Sequence, residues 1–238
     1  MRSIGRLGIL GAMEIEVITL RHLMDQPNVF THAGKTFYEG KVEGQPVVLS
    51  KADVGKVNAA VTAQILIDQG KVDAIVFTGV AGALDPQLAI HDLIVATAAQ
   101  YHDVDVTVFG YQPGQVPRMP TLFATDPELS LELVSACATA GVKNPHQGVI
   151  LSGDTFIAEP QIRMKLFRRF SAVAVEMEGA AVAQTCYLNS IPFALLRAVS
   201  DCANGTAPDD FRSFSKKAAE TAAEVIAILC RRMASTGQ

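Results

Sequence analysis

Cysteine is scarce in this sequence, and what there is falls far apart: Cys137, Cys186, Cys202 and Cys230. No CxxC pair and no Cys/His ligand spacing occurs, which argues against a zinc site or a disulfide scaffold and for buried free thiols in a reducing compartment. The five histidines are equally scattered. No long basic run is present, and 20 Lys plus Arg against 24 Asp plus Glu leave a net charge of -4, so neither a nucleic-acid backbone nor an anionic membrane finds an obvious docking surface. The longest nearly apolar run, from Ala74 to Leu84, falls well short of the ~18 residues that a membrane span needs. The opening MRSIGRLGILGAMEIE is cut by glycine and by Glu14 and Glu16 too early for a signal peptide. The expectation is a cytoplasmic protein with no nucleic-acid or membrane partner.

Apolar residues, by contrast, are abundant. At 49% hydrophobic and 18% charged, the 238 residues can bury a large core. Short runs at Leu7 to Leu10, Val47 to Ser50, Ala74 to Thr78, Leu93 to Ala96, Gly148 to Leu151, Val173 to Glu176 and Phe193 to Val199 are mostly apolar throughout. That pattern suits strands covered by helices on both faces. Lys35 to Val42 is more mixed and precedes the turn signal Glu43-Gly44, as in a hairpin or edge strand.

Between these runs the spacing becomes helical. Val57, Val61, Ile65 and Leu66 recur at helical intervals in a stretch that starts after Gly55 and stops at Gly70. Asp126-Pro127 reads as an N-cap with proline in the first turn of a helix ending at Gly141. Phe214, Ala218, Ala222, Val225, Leu229 and Met233 form one packing stripe. The segment GYQPGQVPRMP, residues 110 to 120, is a loop within one domain, because strand and helix signals continue on both sides. Residues 1 to 238 are therefore expected to form a single three-layer α/β/α domain around a central mixed, twisted sheet.

Acidic residues stand at the ends of several apolar strands, where α/β proteins gather their ligands. GILGAMEIE places Glu14 and Glu16 at the start of a helix, and favourable first-turn charge is an alternative reading of both. The GxGxxG fingerprint of dinucleotide folds is absent there. TGVAGAL, residues 78 to 84, offers small residues after a strand but no Walker lysine. In VAVEMEGAAVAQ, strand alternation puts Glu176 and Glu178 on one side and Met177 on the other. Glu178 is a candidate ribose clamp, since a carboxylate can accept two hydroxyl hydrogen bonds. In FALLRAVSDCANG, Ser200 and Asp201 precede the turn signal Asn204-Gly205, and Arg197 within the strand is expected to be paired. A general acid and a water-activating base fit such a set; spacing alone leaves a sugar, an ester or a carboxylate-bound metal open.

Taken in order, GILGAMEIEV, ADVGKVNAA, TGVAGAL, YHDVDVTVFGY, SGDTFI, AVEMEGAAVA and AVSDCANG resemble the nucleosidases that act on 5'-methylthioadenosine and S-adenosylhomocysteine, within the purine nucleoside phosphorylase-like family. The resemblance covers nearly the whole chain. It implies hydrolysis of these adenine thio-nucleosides with water as co-substrate, no cofactor and no metal. By the same resemblance Glu16 activates water and Asp201 helps protonate adenine N7. Glu178 binds the ribose hydroxyls beside Met177, Phe156 stacks on adenine, and the backbone of Ile157 reads the base edge. Ser200, Arg197 and Glu176 support the site. Met13, Val54 and Phe211 line the thio-group pocket, and Phe109 and Pro117 reach in from the second subunit of a homodimer. Val80 stands where some relatives carry a hydroxyl residue, so one polar support for Glu16 or its water is expected to be missing. APDDFRSF also departs from relatives with an acidic residue after the first phenylalanine. The same resemblance leaves a 6-amino-6-deoxyfutalosine hydrolase, or a phosphorylase, as the neighbouring activities.

Overall fold

A computed structural model describes residues 4–142, 144–202 and 207–236; the expected Asn204-Gly205 turn lies outside the described residues. Four parallel strands form its centre: β1 (Leu7–Gly11), β4 (Gln45–Lys51), β5 (Ala74–Ala83) and β10 (Phe193–Asp201). Outside β4, the antiparallel strands β3 (Lys35–Val42) and β2 (Asn28–His32) extend the sheet to an edge. The β3–β4 turn has Glu43 and Gly44 at φ +50° and +88°, the left-handed pair that a two-residue hairpin requires.

On the other side the sheet closes on itself. β6 (Leu93–Tyr101) runs antiparallel to β10 and parallel to β8 (His146–Ser152). β8 pairs with β9 (Ala174–Glu176), which returns to β5. A short β7 (Phe123–Ala124) pairs with β6. This closure corrects the reading of TGVAGAL as a segment after a strand. Residues 78 to 83 are strand, and all ten residues of β5 are buried because neighbours pack on both its edges and both its faces.

Alternation along the strands divides the core into two layers. Leu7 and Ile9 of β1, Val76 of β5, and Leu196 and Ala198 of β10 face α1 (Glu14–His22), α3 (Pro127–Thr139) and α6 (Ala207–Thr236). Leu10, Ile75, Phe77, Phe193 and Leu195 face α2 (Lys56–Asp68) and α5 (Gly179–Asn189). Each buried Leu or Phe of this kind contributes roughly 1.5–3 kcal/mol by leaving water. The α/β/α arrangement around a mixed sheet is the expected one. Asp126 caps α3 by accepting the Leu129 N–H at 2.9 Å, with Pro127 in the first turn, and such a cap stabilises a helix by about 1 kcal/mol.

Two helical stripes differ from expectation. In α2 the buried side chains are Ala59, Thr62, Ala63, Ile65 and Leu66, while Val57 and Val61 lie exposed on the opposite flank. In α6 Ala207, Ser215, Ala218 and Ala219 are buried, and Phe214 sits at the surface, edge-on to His91. Helix α4 (Pro160–Phe170) was not signalled by any apolar period, and Leu166 is its one fully buried residue.

Candidate active site

A cavity of about 450 Å³ opens where the parallel strands end. Met13 follows β1, Val54 follows β4, Val80 to Gly82 lie near the end of β5, Phe156 and Ile157 follow β8, Glu176 ends β9 with Met177 and Glu178 just after it, and Ser200 and Asp201 finish β10. Ligands bind at this position in α/β sheets because several chain reversals converge there with free backbone and side-chain groups.

Glu14 and Glu16, equivalent in the sequence, separate in the structure. Glu14 is solvated and pairs with Arg21 at 2.7 Å, so first-turn charge is a sufficient account of it. Glu16 is buried at the cavity floor. One of its oxygens accepts the N–H groups of Ala12 and Met13 at 2.6 and 2.8 Å, and the other accepts the Val80 N–H at 3.0 Å. Burial pushes its carboxyl above the ordinary carboxylate range, against the lowering influence of Arg197 and the three N–H donors. Gly79, at φ +153°, makes room: a Cβ there would lie 2.4 Å from Glu16 Oε1. At position 80 the main-chain N–H is a donor to Glu16, while the Val80 side chain carries no hydroxyl to add a second one.

Glu176 and Glu178 also differ from the alternating-strand reading. β9 stops at Glu176, and Glu178 is already the residue preceding α5, so the period of two no longer applies. Met177 consequently lines the same cavity as both glutamates. Glu176 is saturated: it accepts the Ser152 hydroxyl, the Gly179 N–H at 2.9 and 2.8 Å, and the Arg197 guanidinium at 2.7 Å. Arg197 is itself buried and stacks 4.0 Å from the Phe77 ring centroid. Pairing is what makes both buried charges tolerable, and it holds Glu176 as an anchor between β8, β9 and β10. Glu178 keeps an oxygen for the cavity while accepting the Gly55 N–H at 2.7 Å. Burial, then the charge of Glu176, pushes its carboxyl up to about 8.

Asp201 occupies the last position of β10, beyond a bulge at Val199/Asp201 in the pairing with β5. Bulges re-aim side chains beside functional sites, and this one delivers a buried carboxylate to the cavity. The Ser200 hydroxyl donates to Asp201 Oδ2 at 3.0 Å, and Gly82 leaves the carboxylate space that a Cβ, 2.9 Å from Oδ1, would take.

The remaining wall is apolar. Phe156 meets Phe211 edge-on at 5.9 Å between centroids, and Met13, Val54 and Ile157 complete the lining. Phe109 and Pro117 lie exposed outside this chain's cavity. Sequence reading passed over Thr155, Pro208 and Arg212, which line the cavity, and Ser152 and Gly55, which hold its glutamates. Of these, Gly55 carried a signal: it opens a helix at φ +102°, a backbone state that favours glycine. Among the described residues no three His, Cys, Asp or Glu side chains converge to hold a metal ion, and no helix is long and apolar enough to cross a membrane.

A closed α/β sheet with a nucleoside-sized cavity ringed by carboxylates defines the class: the chain belongs to the phosphorylase superfamily, whose family model matches residues 6–231. Within it the chain groups with the 5'-methylthioadenosine/S-adenosylhomocysteine nucleosidases. It is 42% identical over 224 residues to the one from Staphylococcus epidermidis, covering 94% of this chain and 98% of that one. The crystal structure of the Neisseria meningitidis nucleosidase in complex with methylthio-immucillin-A superposes with a TM-score of 0.92 at 39% identity, covering 96% of this chain and 99% of the other. The futalosine hydrolase of Helicobacter pylori is also similar, with a TM-score of 0.90 at 31% identity over 96% of this chain and 98% of that one.

Proposed function

We propose that the chain hydrolyses the N-glycosidic bond of 5'-methylthioadenosine and S-adenosylhomocysteine, releasing adenine and the corresponding thioribose. The observation that carries this reading is the convergence of Glu16, Glu178 and Asp201 in one cavity with an apolar end. Phe156 stacks on the adenine and the Ile157 backbone reads its edge. Asp201, supported by Ser200, gives a proton to N7, so the bond from C1' to N9 can break with its electron pair leaving on the base. Positive charge grows on the ribose as this happens. Glu178 holds the ribose hydroxyls over Met177, and the Glu16 carboxylate favours the cationic transition state over the neutral substrate. Glu16 takes a proton from the water whose oxygen bonds to C1'. The 5' sulfur lies toward Met13, Val54 and Phe211.

Phosphate is a poor alternative nucleophile here. Its site would lie beside buried carboxylates, Arg197 is held by Glu176, and Arg212 stands at the surface of the cavity's mouth. Incubation with methylthioadenosine in phosphate buffer is expected to yield free methylthioribose. Methylthioribose 1-phosphate as the main sugar product would overturn the assignment. The likeness to a futalosine hydrolase keeps 6-amino-6-deoxyfutalosine as a second substrate to test, and comparing kcat/KM for the three nucleosides decides between them.

We further propose a homodimer in which Phe109 and Pro117 reach the partner's cavity. Val57, Val108, Phe109 and Leu188 are 75%, 85%, 78% and 60% exposed, apolar surface that a subunit contact would remove from water. Sedimentation should give twice the chain mass, with a fully active monomer as the contrary result.

A further inference from the structure

Arg212 is the cation at the open end of the cavity. It lies in an early turn of α6, one residue after Phe211, and lines the cavity together with Pro208 and Phe211 of the same helix. Its Nη1 stands 3.4 Å from Asp209 Oδ1, and the two side chains are 77% and 81% exposed. A pair this long and this solvated adds little to stability, so both heads are available to a ligand at small cost. Residues three apart on a helix are neighbours, so Arg212, which lines the cavity, has the negative Asp209 beside it, just outside the lining.

Resting on the hydrolase reading above, we propose that Arg212 and Asp209 recognise a zwitterionic amino-acid tail on the 5' sulfur, Arg212 taking the carboxylate and Asp209 the α-ammonium. A methylthio group ends within the apolar lining of Met13, Val54 and Phe211 and has nothing to offer the rim. The homocysteine substituent continues past sulfur through two methylenes to a carbon that carries both charges. Its polar end therefore belongs at the mouth, where an arginine can bind a carboxylate through two parallel N–H bonds. A lone arginine would favour any anionic tail, whereas the pair selects the amino acid. Arg212 and Asp209 are then specificity residues for S-adenosylhomocysteine over methylthioadenosine, acting on binding of the tail and not on bond cleavage.

The test is the ratio of kcat/KM for S-adenosylhomocysteine to that for methylthioadenosine. Arg212→Met, which keeps length and removes charge, is expected to lower the ratio about tenfold, as loss of a charged hydrogen bond does, with the change in KM for the homocysteine substrate. Arg212→Lys should restore part of it, and Asp209→Asn should lower it several-fold. High salt should narrow the difference between wild type and Arg212→Met. An unchanged ratio in Arg212→Met, including a parallel fall for both substrates, overturns the proposal, and a ratio that rises in Asp209→Asn overturns its ammonium half. Failure of the wild-type chain to release adenine from either substrate would instead remove the hydrolase reading on which it rests.

Discussion

Asp201→Asn is expected to lose roughly 10²–10⁴-fold in kcat for methylthioadenosine, the range that a positioned general acid supplies, while the protein stays folded. The substitution changes one atom type and almost no volume. The Ser200 hydroxyl can still donate to the remaining oxygen at the position now 3.0 Å away, and the space left by Gly82 is unaltered. What the amide lacks is a transferable proton. It can donate a hydrogen bond to adenine N7 in the ground state, so KM should move little, and the loss should appear where full transfer matters, as the bond to N9 breaks. Adenine release measured at saturating substrate, with circular dichroism as the control for folding, checks the result. A wild-type kcat in a folded variant would move the acid elsewhere.

How far the sequence disclosed this site follows from what each residue contributes. An apolar strand that ends in a carboxylate conflicts with its own burial, and that conflict made Glu16, Glu178 and Asp201 visible before any geometry was known. The placing of Met177 opposite Glu176 and Glu178 failed, because the strand gives way to the start of α5 there and the period of two no longer applies. The backbone donors of Gly55, Ala12 and Val80 were equally hidden, since every residue but proline carries an N–H and only the fold aims it.

The same reasoning separates the elements. β1, β4 and β10 were legible because they are buried on both faces, whereas β2 is exposed along most of its length and α4 buries little besides Leu166. The small residues of β5 beyond Thr78 read as lying after the strand because glycine and alanine are ordinarily poor strand formers. In the closed part of the sheet they are required: Gly79 and Gly82 admit the carboxylates of Glu16 and Asp201 against the strand. Val57 and Val61 had the spacing of a core stripe, yet periodicity reports a face without saying what covers it.

Glu16→Gln should lose both activity and stability, unlike Asp201→Asn, because three main-chain donors are built around a carboxylate. Two N–H groups address one oxygen and the Val80 N–H addresses the other. A glutamine can present its oxygen to one side only, so its NH₂ must face a donor, and a buried N–H left without an acceptor costs about 1–3 kcal/mol. For a chain of this size that lowers Tm by roughly 2–10 °C. Turnover falls further, since the amide cannot take the proton from water, and a loss of about 10²–10⁴-fold is expected from the folded fraction. The wild-type pH dependence has the opposite sign for the two properties. Burial raises the carboxyls of Glu16 and, to about 8, Glu178, so the folded chain retains protons that the unfolded chain has released above its ordinary glutamate pKa. Their stabilising contribution is complete at lower pH and is lost as pH rises through the raised values, with about 8 marking the end of the window for Glu178. Water activation needs the Glu16 anion, so activity should instead fall as pH drops through its raised pKa. Thermal melts and kcat/KM across pH 4 to 9 should show these opposed trends in the wild type, and an acid limb of activity that survives unchanged in Glu16→Gln would assign the base to another group.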